Sequence, residues 1–422
     1  MLYTPRFLLA ALITTVVSGC QTAEPPGPEG AQLEGVWRAV LASPGGELPF
    51  TLTVEDGPEG LTAHALSAGE EEPFSAVRQE GERVIFEVSW YDSEIETRLV
   101  GADRLEGGWR KTGAGGEDSR LAFFAERGSE VRFASREPAG FDVSGEWTAE
   151  FVDEDGTFPA RAELAQSGDR VTGTILTATG DYRFLEGRVE GQRLRLSTFD
   201  GAHAFLFDAT LGGGEVLTGD FWSRDKYHAT WTARRASPED ALPDPFAEVG
   251  LTDPDRRFRF SFPDLEGEIV SIDDERFAGK PVLVDIFGTW CPNCNDAAPL
   301  IAQWAEEYGP KGLEVVGLAY EYTGDAERDA EMVRRYVERH DAHYVHLLAG
   351  TSDKAQASET LPDLTEILAF PTLVFLDREH RVVRVYSGFA GPGTGEHFDL
   401  LREQLVEILQ ELTADSAATA AL

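Results

Sequence analysis

The stretch that decides the fold of the last third of this chain is Pro281-Val282-Leu283-Val284-Asp285-Ile286-Phe287-Gly288-Thr289-Trp290-Cys291-Pro292-Asn293-Cys294. Its apolar, β-branched first half predicts a buried strand, and the helical spacing of Leu300, Ile301 and Trp304 predicts a helix after it. A Cys-x-x-Cys at a strand-to-helix corner predicts a redox site. Unpaired N–H groups and the helix dipole there favour a thiolate on Cys291, and Cys294 follows one turn later.

The cysteine count supports a redox pair. The chain has three cysteines, and the third is Cys20 near the N-terminus, so a structural disulfide would consume one of the pair. The alternative is half a zinc site, which needs two more ligands. His340, His343 and His346 are the candidates, but a helix end that runs into a strand would not turn them to one face. We therefore expect no metal and no cofactor.

Residues 1–20 have the pattern of a signal peptide. Arg6 is the only charge, and an 11-residue apolar run extends from Phe7 to Val17, too short to span a membrane. The end of this segment, Val17-Ser18-Gly19-Cys20, resembles a bacterial lipobox, which implies acylation of Cys20; an ordinary secretory leader is the alternative. Residues 21–30 predict a flexible tether. We expect a lipid-anchored lipoprotein of the cell envelope that faces the periplasm, in either membrane.

The charge balance limits the classes of molecule that this chain can bind. With 37 basic and 75 acidic residues, the chain carries a formal net charge of −38. Such a chain repels phosphate backbones and anionic lipid head groups, so we expect no nucleic-acid partner. The same self-repulsion favours a soluble surface.

The first half of the chain contains an internal duplication with a spacing of 110 residues. Gly35-Val36-Trp37 recurs as Gly145-Glu146-Trp147, and Glu80-Gly81-Glu82-Arg83 recurs as Glu190-Gly191-Gln192-Arg193. Short alternating runs between turn residues predict strands in each copy. We predict two antiparallel all-β modules, residues 31–135 and 141–235, each a barrel or a sandwich. One closed sheet shared by both copies is the alternative.

The second copy is rich in aromatic residues: Tyr182, Phe184, Phe199, Trp222, Tyr227 and Trp231. Rings of this kind usually fill a β core, which is our prediction here. The alternative is that they line a ligand cleft.

The rest of the chain predicts a linker and an α/β domain. Residues 236–256 are rich in Pro, Asp and Glu and predict a linker. From 257 to 412 strands and helices alternate, which predicts a layered sheet with helices on both faces. Residues 413–422 are small and polar, and we expect a disordered tail.

The C-terminal domain resembles the thioredoxin superfamily, and within it the TlpA/ResA-type thiol-disulfide oxidoreductases of bacteria. The resemblance covers roughly 258–412 and depends on the stretch from Val284 to Cys294, Pro299, Phe370-Pro371-Thr372 and the opening Phe262-Pro263-Asp264-Leu265-Glu266-Gly267. It implies a C-terminal thioredoxin fold. Gly180-Asp181-Tyr182 and Phe199-Asp200-Gly201-Ala202-His203 are similar to an appendage of some lipid-anchored members.

The resemblance also implies roles for individual residues. Cys291 is expected to be the exposed nucleophile, and Cys294 to attack the mixed disulfide and release the partner. Pro371 is expected to be a cis proline that faces the pair. Substrate contacts are expected from Trp290, Pro292, Asn293, Phe370 and Pro371.

Asp285 is a candidate catalytic residue because it interrupts an apolar strand. A lone buried carboxylate is costly, so it is expected to stay protonated or to find a partner. The resemblance implies that this carboxyl moves the proton of Cys294; a structural Asp is the alternative. The lysine that often accompanies this carboxyl is missing from Val315-Val316-Gly317-Leu318-Ala319-Tyr320, and Glu321 is the candidate replacement.

The leading function is an enzyme that exchanges the Cys291–Cys294 disulfide with protein thiols. The resemblance favours a reductase, which needs an electron donor such as a membrane thiol-transfer protein. One alternative is a thiol peroxidase, although the Pro-x-x-x-Thr/Ser-x-x-Cys motif of peroxiredoxins is missing, because Val284 and Gly288 occupy its positions. The other is a β lipoprotein that binds a ligand or partner and carries an ancillary redox domain.

Overall fold

The computed structural model describes Met1 and residues 33–113, 118–129, 131–237, 239–240 and 242–414. The predicted signal peptide, Cys20 and the tether therefore lie outside the described residues. The predicted fold class is confirmed, since two antiparallel β modules precede an α/β thioredoxin fold.

The first module is a nine-stranded antiparallel sheet that curls into a half-barrel. The sheet order is β4-β3-β2-β1-β9-β8-β7-β6-β5, so β4 and β5 are its edges. Alternating burial along these strands places Trp37, Phe50 and Trp109 in its core. Its strands are β1 Gly35–Ser43, β2 Gly46–Gly57, β3 Gly60–Ser67, β4 Glu70–Pro73, β5 Ala76–Glu80, β6 Arg83–Val88, β7 Ser93–Val100, β8 Arg104–Lys111 and β9 Ser119–Arg127.

The second module is a closed antiparallel barrel. An additional pairing between β11 and β12 closes the sheet order β11-β10-β18-β17-β16-β15-β14-β12-β13 into a ring, from which β13 projects at β12. Closure removes the free sheet edges, with which strands of other chains could otherwise pair. Its strands are β10 Gly145–Val152, β11 Thr157–Ser167, β12 Arg170–Thr177, β13 Gly180–Asp181, β14 Leu185–Glu190, β15 Arg193–Phe199, β16 Ala204–Leu211, β17 Leu217–Ser223 and β18 Tyr227–Arg235.

The duplication seen in the sequence recurs in three dimensions. The indole N–H groups of Trp37 and Trp147 donate to the carbonyls four residues earlier, at 3.0 and 2.8 Å. The guanidinium of Arg127 lies 4.1 Å from the ring centroid of Trp37, and that of Arg235 lies 4.2 Å from that of Trp147. In each copy, the same kind of cation–π pair therefore joins the first strand to the last.

The two modules have separate sheets but share a core, so the alternative of one common sheet is wrong. Phe199 of the barrel stacks on Phe50 of the half-barrel, with ring centroids 4.6 Å apart, and meets the edge of Trp109 at 5.7 Å. A Cβ on Gly45 would lie 2.3 Å from the Trp222 ring, which explains a glycine there. Phe199 and Trp222 of the aromatic set thus join the modules, while Tyr182 and Trp231 pack in the barrel.

The last domain has a five-stranded sheet in the order β23-β22-β21-β24-β25, preceded by a small hairpin of β19 and β20. Strands β21, β22 and β23 are parallel, and β24 and β25 are antiparallel additions. The elements are β19 Ser261–Pro263, β20 Ile269–Ser271, β21 Val282–Phe287, α1 Pro292–Tyr308, β22 Glu314–Glu321, α2 Ala326–His340, β23 Val345–Thr351, α3 Lys354–Thr360, β24 Thr372–Leu376, β25 Val382–Ser387 and α4 Glu396–Ala414.

The predicted linker and tail are more ordered than expected where they are described. Within 236–256, Val249 is buried in the core of the last domain, and Phe246 packs edge-on against Tyr386 at 4.9 Å. At the other end, α4 continues through Thr413 and Ala414, which we expected to belong to the tail. The Thr413 hydroxyl donates to the carbonyl of Leu409, which satisfies it inside the last turn.

One buried arginine ties the three modules together. Arg183 of the barrel lies 3.0 Å from Asp296 of α1, 3.4 Å from Asp200 of the barrel and 3.5 Å from Glu72 of the half-barrel. Its side chain is 6% exposed, so these ion pairs are largely shielded from solvent. The guanidinium also donates to the carbonyl of Pro292, next to Cys291.

Replacing Arg183 by methionine tests this network. Three buried carboxylates lose their shared cation, and breaking a buried ion pair typically costs about 3–5 kcal/mol. We expect Arg183→Met to lower the free energy of unfolding by about that amount in urea denaturation followed by tryptophan fluorescence. The control is Arg104→Met, which breaks the exposed pair with Glu106 and should cost less than about 1 kcal/mol. Equal losses for the two variants would contradict the prediction.

Candidate redox site

The Cys-x-x-Cys lies where β21 leads into α1. All six residues of β21 are buried, and Cys291 is the N-cap of the helix. The backbone N–H of Cys294 donates to the sulfur of Cys291 at 3.4 Å. Both cysteines are free and buried, with exposed fractions of 6% for Cys291 and 1% for Cys294. Cys291 is thus the more exposed of the two but is not the exposed residue that we expected. A helix N-terminus stabilises negative charge on the first sulfur, while the second lies behind it.

The turn between the strand and the helix is held by hydrogen bonds from its neighbours. Glu321 accepts from the backbone N–H and the hydroxyl of Thr289, at 2.8 and 2.7 Å. The amide of Asn295 donates to the carbonyls of Thr289 and Cys291. A Cβ on Gly288 would lie 2.2 Å from the indole nitrogen of Trp290, so only glycine fits before this turn. These contacts fix the position of the Cys291 sulfur.

Trp290 and the Phe370–Pro371 turn face the pair. The Phe370–Pro371 peptide bond is cis, as predicted, and the Cys291 thiol donates to the carbonyl of Phe370 at 3.3 Å. The indole of Trp290 donates to the carbonyl of Tyr320, stacks on Tyr322 at 4.8 Å and meets Phe370 edge-on at 5.5 Å. These rings form one side of the opening above Cys291.

Asp285 is buried behind the pair. Its side chain is 1% exposed, the hydroxyl of Tyr344 donates to one carboxyl oxygen at 3.4 Å, and the other oxygen has no partner among the described residues. Burial raises the pKa of Asp285 to about 7, although the Tyr344 hydrogen bond opposes the shift. Burial and the neighbouring Cys291 raise the pKa of Cys294 well above its usual value, and Asp285 adds to the shift. The charge of Asp285 therefore acts on the less exposed thiol of the pair.

Glu321 has a similar pKa but different contacts. Burial raises its pKa to about 7, and the two hydrogen bonds from Thr289 oppose the shift. Because both of its oxygens are engaged by Thr289, Glu321 supports the turn, whereas Asp285 acts electrostatically on Cys294.

The opening above Cys291 is a cleft of about 240 Å³ to which all three modules contribute. We call it the redox cleft; the redox domain supplies Trp290, Cys291, Pro292, Asn293, Tyr322, Lys354, Ala369 and Phe370, the half-barrel supplies Lys111, and the barrel supplies Thr179, Ala202, His203 and Arg224. Sequence reasoning missed the contribution of the β modules. Two signals were present in the sequence: the similarity of the stretches at 180–182 and 199–203 to a known appendage, and the aromatic set of the second copy.

The histidines considered as zinc ligands do not gather at the pair. His340 is within hydrogen-bond distance of the Asn295 side chain at 2.8 Å, His346 is within that distance of the Tyr344 carbonyl at 2.8 Å, and His343 pairs with Asp341 at the surface. Within the described ranges, three side chains close enough to share a metal occur at Glu146, Glu163 and His397, and this group includes neither cysteine. The expected absence of a metal stays a prediction.

Within the described residues, no helix is long and apolar enough to cross a membrane.

Comparisons with known proteins agree with this geometry. Residues 253–399 match the Redoxin family. The chain is 25% identical over 166 residues to the thiol-disulfide oxidoreductase ResA of Bacillus thuringiensis subsp. konkukian, a match that covers 39% of this chain and 79% of the relative. It is 23% identical over 163 residues to the thiol:disulfide interchange protein DsbE of Pseudomonas aeruginosa, covering 38% of this chain and 76% of the relative.

Among solved structures, a thioredoxin-family thiol:disulfide interchange protein from Chlorobium tepidum is similar, with 21% identity and a TM-score of 0.28. The match covers 41% of this chain and 99% of that structure. Residues 253–399 therefore match the Redoxin family, and this part of the chain is similar to the thiol-disulfide oxidoreductases ResA and DsbE, which supports an oxidoreductase.

Proposed function

We propose that this protein is a lipid-anchored, periplasm-facing enzyme that reduces disulfides of other proteins with the dithiol of Cys291 and Cys294. The observation that carries the proposal is the position of Cys291. It caps α1, accepts the N–H of Cys294 and is the more exposed of the two sulfurs. An accessible sulfur at a helix N-terminus is suited to attack, and the sulfur behind it is suited to resolve.

The proposed reaction proceeds in two exchanges. The Cys291 thiolate attacks one sulfur of the substrate disulfide, which breaks and releases one substrate thiol that takes up a proton. Cys294 then gives up its proton and attacks the sulfur of Cys291, which releases the second thiol. Two electrons pass to the substrate, and the enzyme is left with a Cys291–Cys294 disulfide. A dithiol donor, proposed to be a membrane thiol-transfer protein, restores the reduced pair.

Asp285 is proposed to take the proton of Cys294 in the second exchange. The pKa of the Cys294 thiol lies well above its usual value because of burial, so this thiol needs a base before it can attack. A carboxyl with a pKa of about 7 is suited to accept a proton near neutral pH.

The location and the anchor are proposed from the sequence. Cys20 would carry the lipid and residues 21–30 would hold the folded modules away from the membrane. In an oxidising compartment, a reductase needs electrons from the cytoplasm, which is the reason for proposing a membrane thiol donor.

A redox titration tests the direction of the reaction. The protein, begun at Gln21, is equilibrated in graded thiol and disulfide buffers, and the state of the pair is read by alkylation and mass. We expect a midpoint near that of thioredoxin, about −270 mV. A midpoint near about −120 mV would instead indicate an oxidant, and no reversible two-electron transition would overturn the proposed function.

Single cysteine variants separate the two exchanges. We expect Cys291→Ser to lose the exchange with substrate disulfides, because the accessible sulfur is gone. Cys294→Ser should still attack but should accumulate the mixed disulfide, because the resolving sulfur is gone. Mass spectrometry of quenched reactions measures both species. A stable adduct on Cys294 in the Cys291→Ser variant, formed at the unaltered rate, would contradict the assigned order.

Asp285→Asn tests the proton acceptor. We expect the mixed disulfide to persist roughly 10²-fold longer, which is the lower end of the usual effect of a general base, while its formation is unchanged. Rapid quenching with an alkylating agent measures the two steps. Asp341→Asn is the control, because Asp341 is an exposed carboxylate at the surface of the same domain, and it should leave the second step unaltered. Equal effects of both variants would contradict the role of Asp285.

Asp285→Asn should also change how the free energy of unfolding depends on pH. The folded-state pKa of Asp285 is about 7, and that of a free Asp is about 3.9, so between these values the folded chain holds a proton that the unfolded chain has released. This group therefore makes stability fall as pH rises from about 4 to 7. Asp285→Asn should remove that contribution, and urea denaturation across the window checks it.

A further inference from the structure

The redox cleft has an unusual charge for this protein. Although acidic residues outnumber basic ones by 75 to 37, the cleft lining contains Lys111, Arg224 and Lys354 and no carboxylate. Among the described residues, none of these three cations has a carboxylate within 4.0 Å, although most arginines of the chain do. The lining of the opening above Cys291 is therefore basic in an otherwise acidic chain.

Two of the cations are fixed in place by the β modules. Lys111 is 2% exposed, donates to the carbonyl of Tyr91 at 3.1 Å and lies 5.3 Å from the ring centroid of Tyr322, which stacks on Trp290. Arg224 is half-buried beside the Tyr322 hydroxyl. Burial lowers the pKa of Lys111 to about 7, although Asp92, Asp200 and Glu321 oppose the shift. An anionic ligand in the cleft would therefore be held mainly by Arg224 and Lys354.

The redox cleft continues into a second cavity at the end of the barrel. This cavity has a volume of about 460 Å³ and shares Thr179, His203, Asn293 and Lys354 with the redox cleft. We call it the barrel mouth; its ring-bearing lining residues are Phe158, Tyr182, His203, Phe205 and Tyr227. Two members of the aromatic set of the second copy, Tyr182 and Tyr227, line this cavity, while the ligand cleft that was the alternative for this set stays a prediction.

An unused hydrogen-bond donor lies where the two cavities meet. The amide nitrogen of Asn293 is buried and has no partner among the described residues. Gly180 of the barrel makes room for this side chain, since a Cβ there would lie 2.6 Å from the Asn293 amide oxygen. A buried amide donor without an acceptor is costly, and a carbonyl or carboxylate of a bound chain would satisfy it.

We propose that the β modules form part of the substrate site, and that this site selects a flexible chain segment in which acidic side chains flank the disulfide cysteine. The inference rests on the proposed function and adds its substrate class. The carboxylates next to the cysteine lie against Arg224 and Lys354. The rest of the segment continues past Asn293 into the barrel mouth, whose lining also includes Asp153 and Asp181. A flexible segment is required because Cys291 lies at the base of a walled cleft and is only 6% exposed.

The test follows single turnovers of the reduced full chain with synthetic peptides. Each peptide has one central cysteine, held as a disulfide with 2-mercaptoethanol, and its flanking residues are all Glu, all Gln or all Lys. Cys291 forms a bond to the peptide sulfur while 2-mercaptoethanol leaves with a proton. Cys294 then displaces the peptide thiol, so the enzyme loses two electrons and the substrate gains them. Quenched alkylation and mass give both rates.

We expect the Glu peptide to react at least about tenfold faster than the Lys peptide, with the Gln peptide between them, because a charged cleft raises the rate of encounter. The ratio should shrink in Arg224→Gln/Lys354→Gln and in high salt. The control Arg98→Gln/Arg136→Gln removes two exposed cations away from the cleft and should keep the ratio. The comparison of peptides on the unaltered chain does not depend on any variant folding.

Three outcomes overturn parts of the inference. Equal rates for the Glu, Gln and Lys peptides would overturn selection by charge. A Glu-Cys-Glu tripeptide that reacts as fast as the longer Glu peptide would overturn the use of the barrel mouth. Exchange with the uncharged bis(2-hydroxyethyl) disulfide tells the two proposals apart, because its absence would overturn the proposed function itself, whereas its presence without a charge preference overturns only the substrate class.

Discussion

The buried guanidinium of Arg183 holds the β modules against the first turn of the redox helix, and the shape of the redox cleft depends on it. Its carboxylate partners come from the redox domain, the barrel and the half-barrel, and it also reaches the carbonyl of Pro292. Ion pairs shielded from water weaken steeply when their geometry is lost, so they favour one relative placement of the modules over others. That placement brings Lys111 and Arg224 over Cys291.

Burial sets the proton chemistry around the pair. Three carboxyl groups, Asp285, Asp296 and Glu321, have a pKa of about 7, and desolvation is the largest cause for each. Their partners distinguish them: Asp296 faces Arg183, Glu321 accepts two hydrogen bonds from Thr289, and Asp285 has a single long bond from Tyr344. Asp285 therefore has the weakest hydrogen bonding of the three, and its charge contributes to the raised pKa of Cys294.

The duplicated modules have diverged in what they contribute to the site. In both copies, a cation–π pair between a tryptophan, Trp37 or Trp147, and an arginine joins the first strand to the last. The second copy closes fully into a barrel whose end faces the redox pair, while the first stays open and packs against β15 and β16. Because both copies keep the contacts between their first and last strands, the fold of each copy does not depend on the residues at the other strand ends. Those residues differ between the copies, and the cleft residues are among them.

The sequence by itself determined the two β modules, the α/β domain after them, the redox pair and the repeat, because these depend on local patterns: strand and helix periodicity, the spacing of two cysteines and recurring motifs. The cis bond before Pro371 was expected only from the resemblance to the thioredoxin superfamily. Only the tertiary structure decided which charges are buried and which lie over Cys291. In a chain with 27% charged residues, Arg183, Lys111 and Arg224 look like surface residues. Their burial results from the packing of modules that are far apart in the sequence, and local patterns carry no record of such contacts.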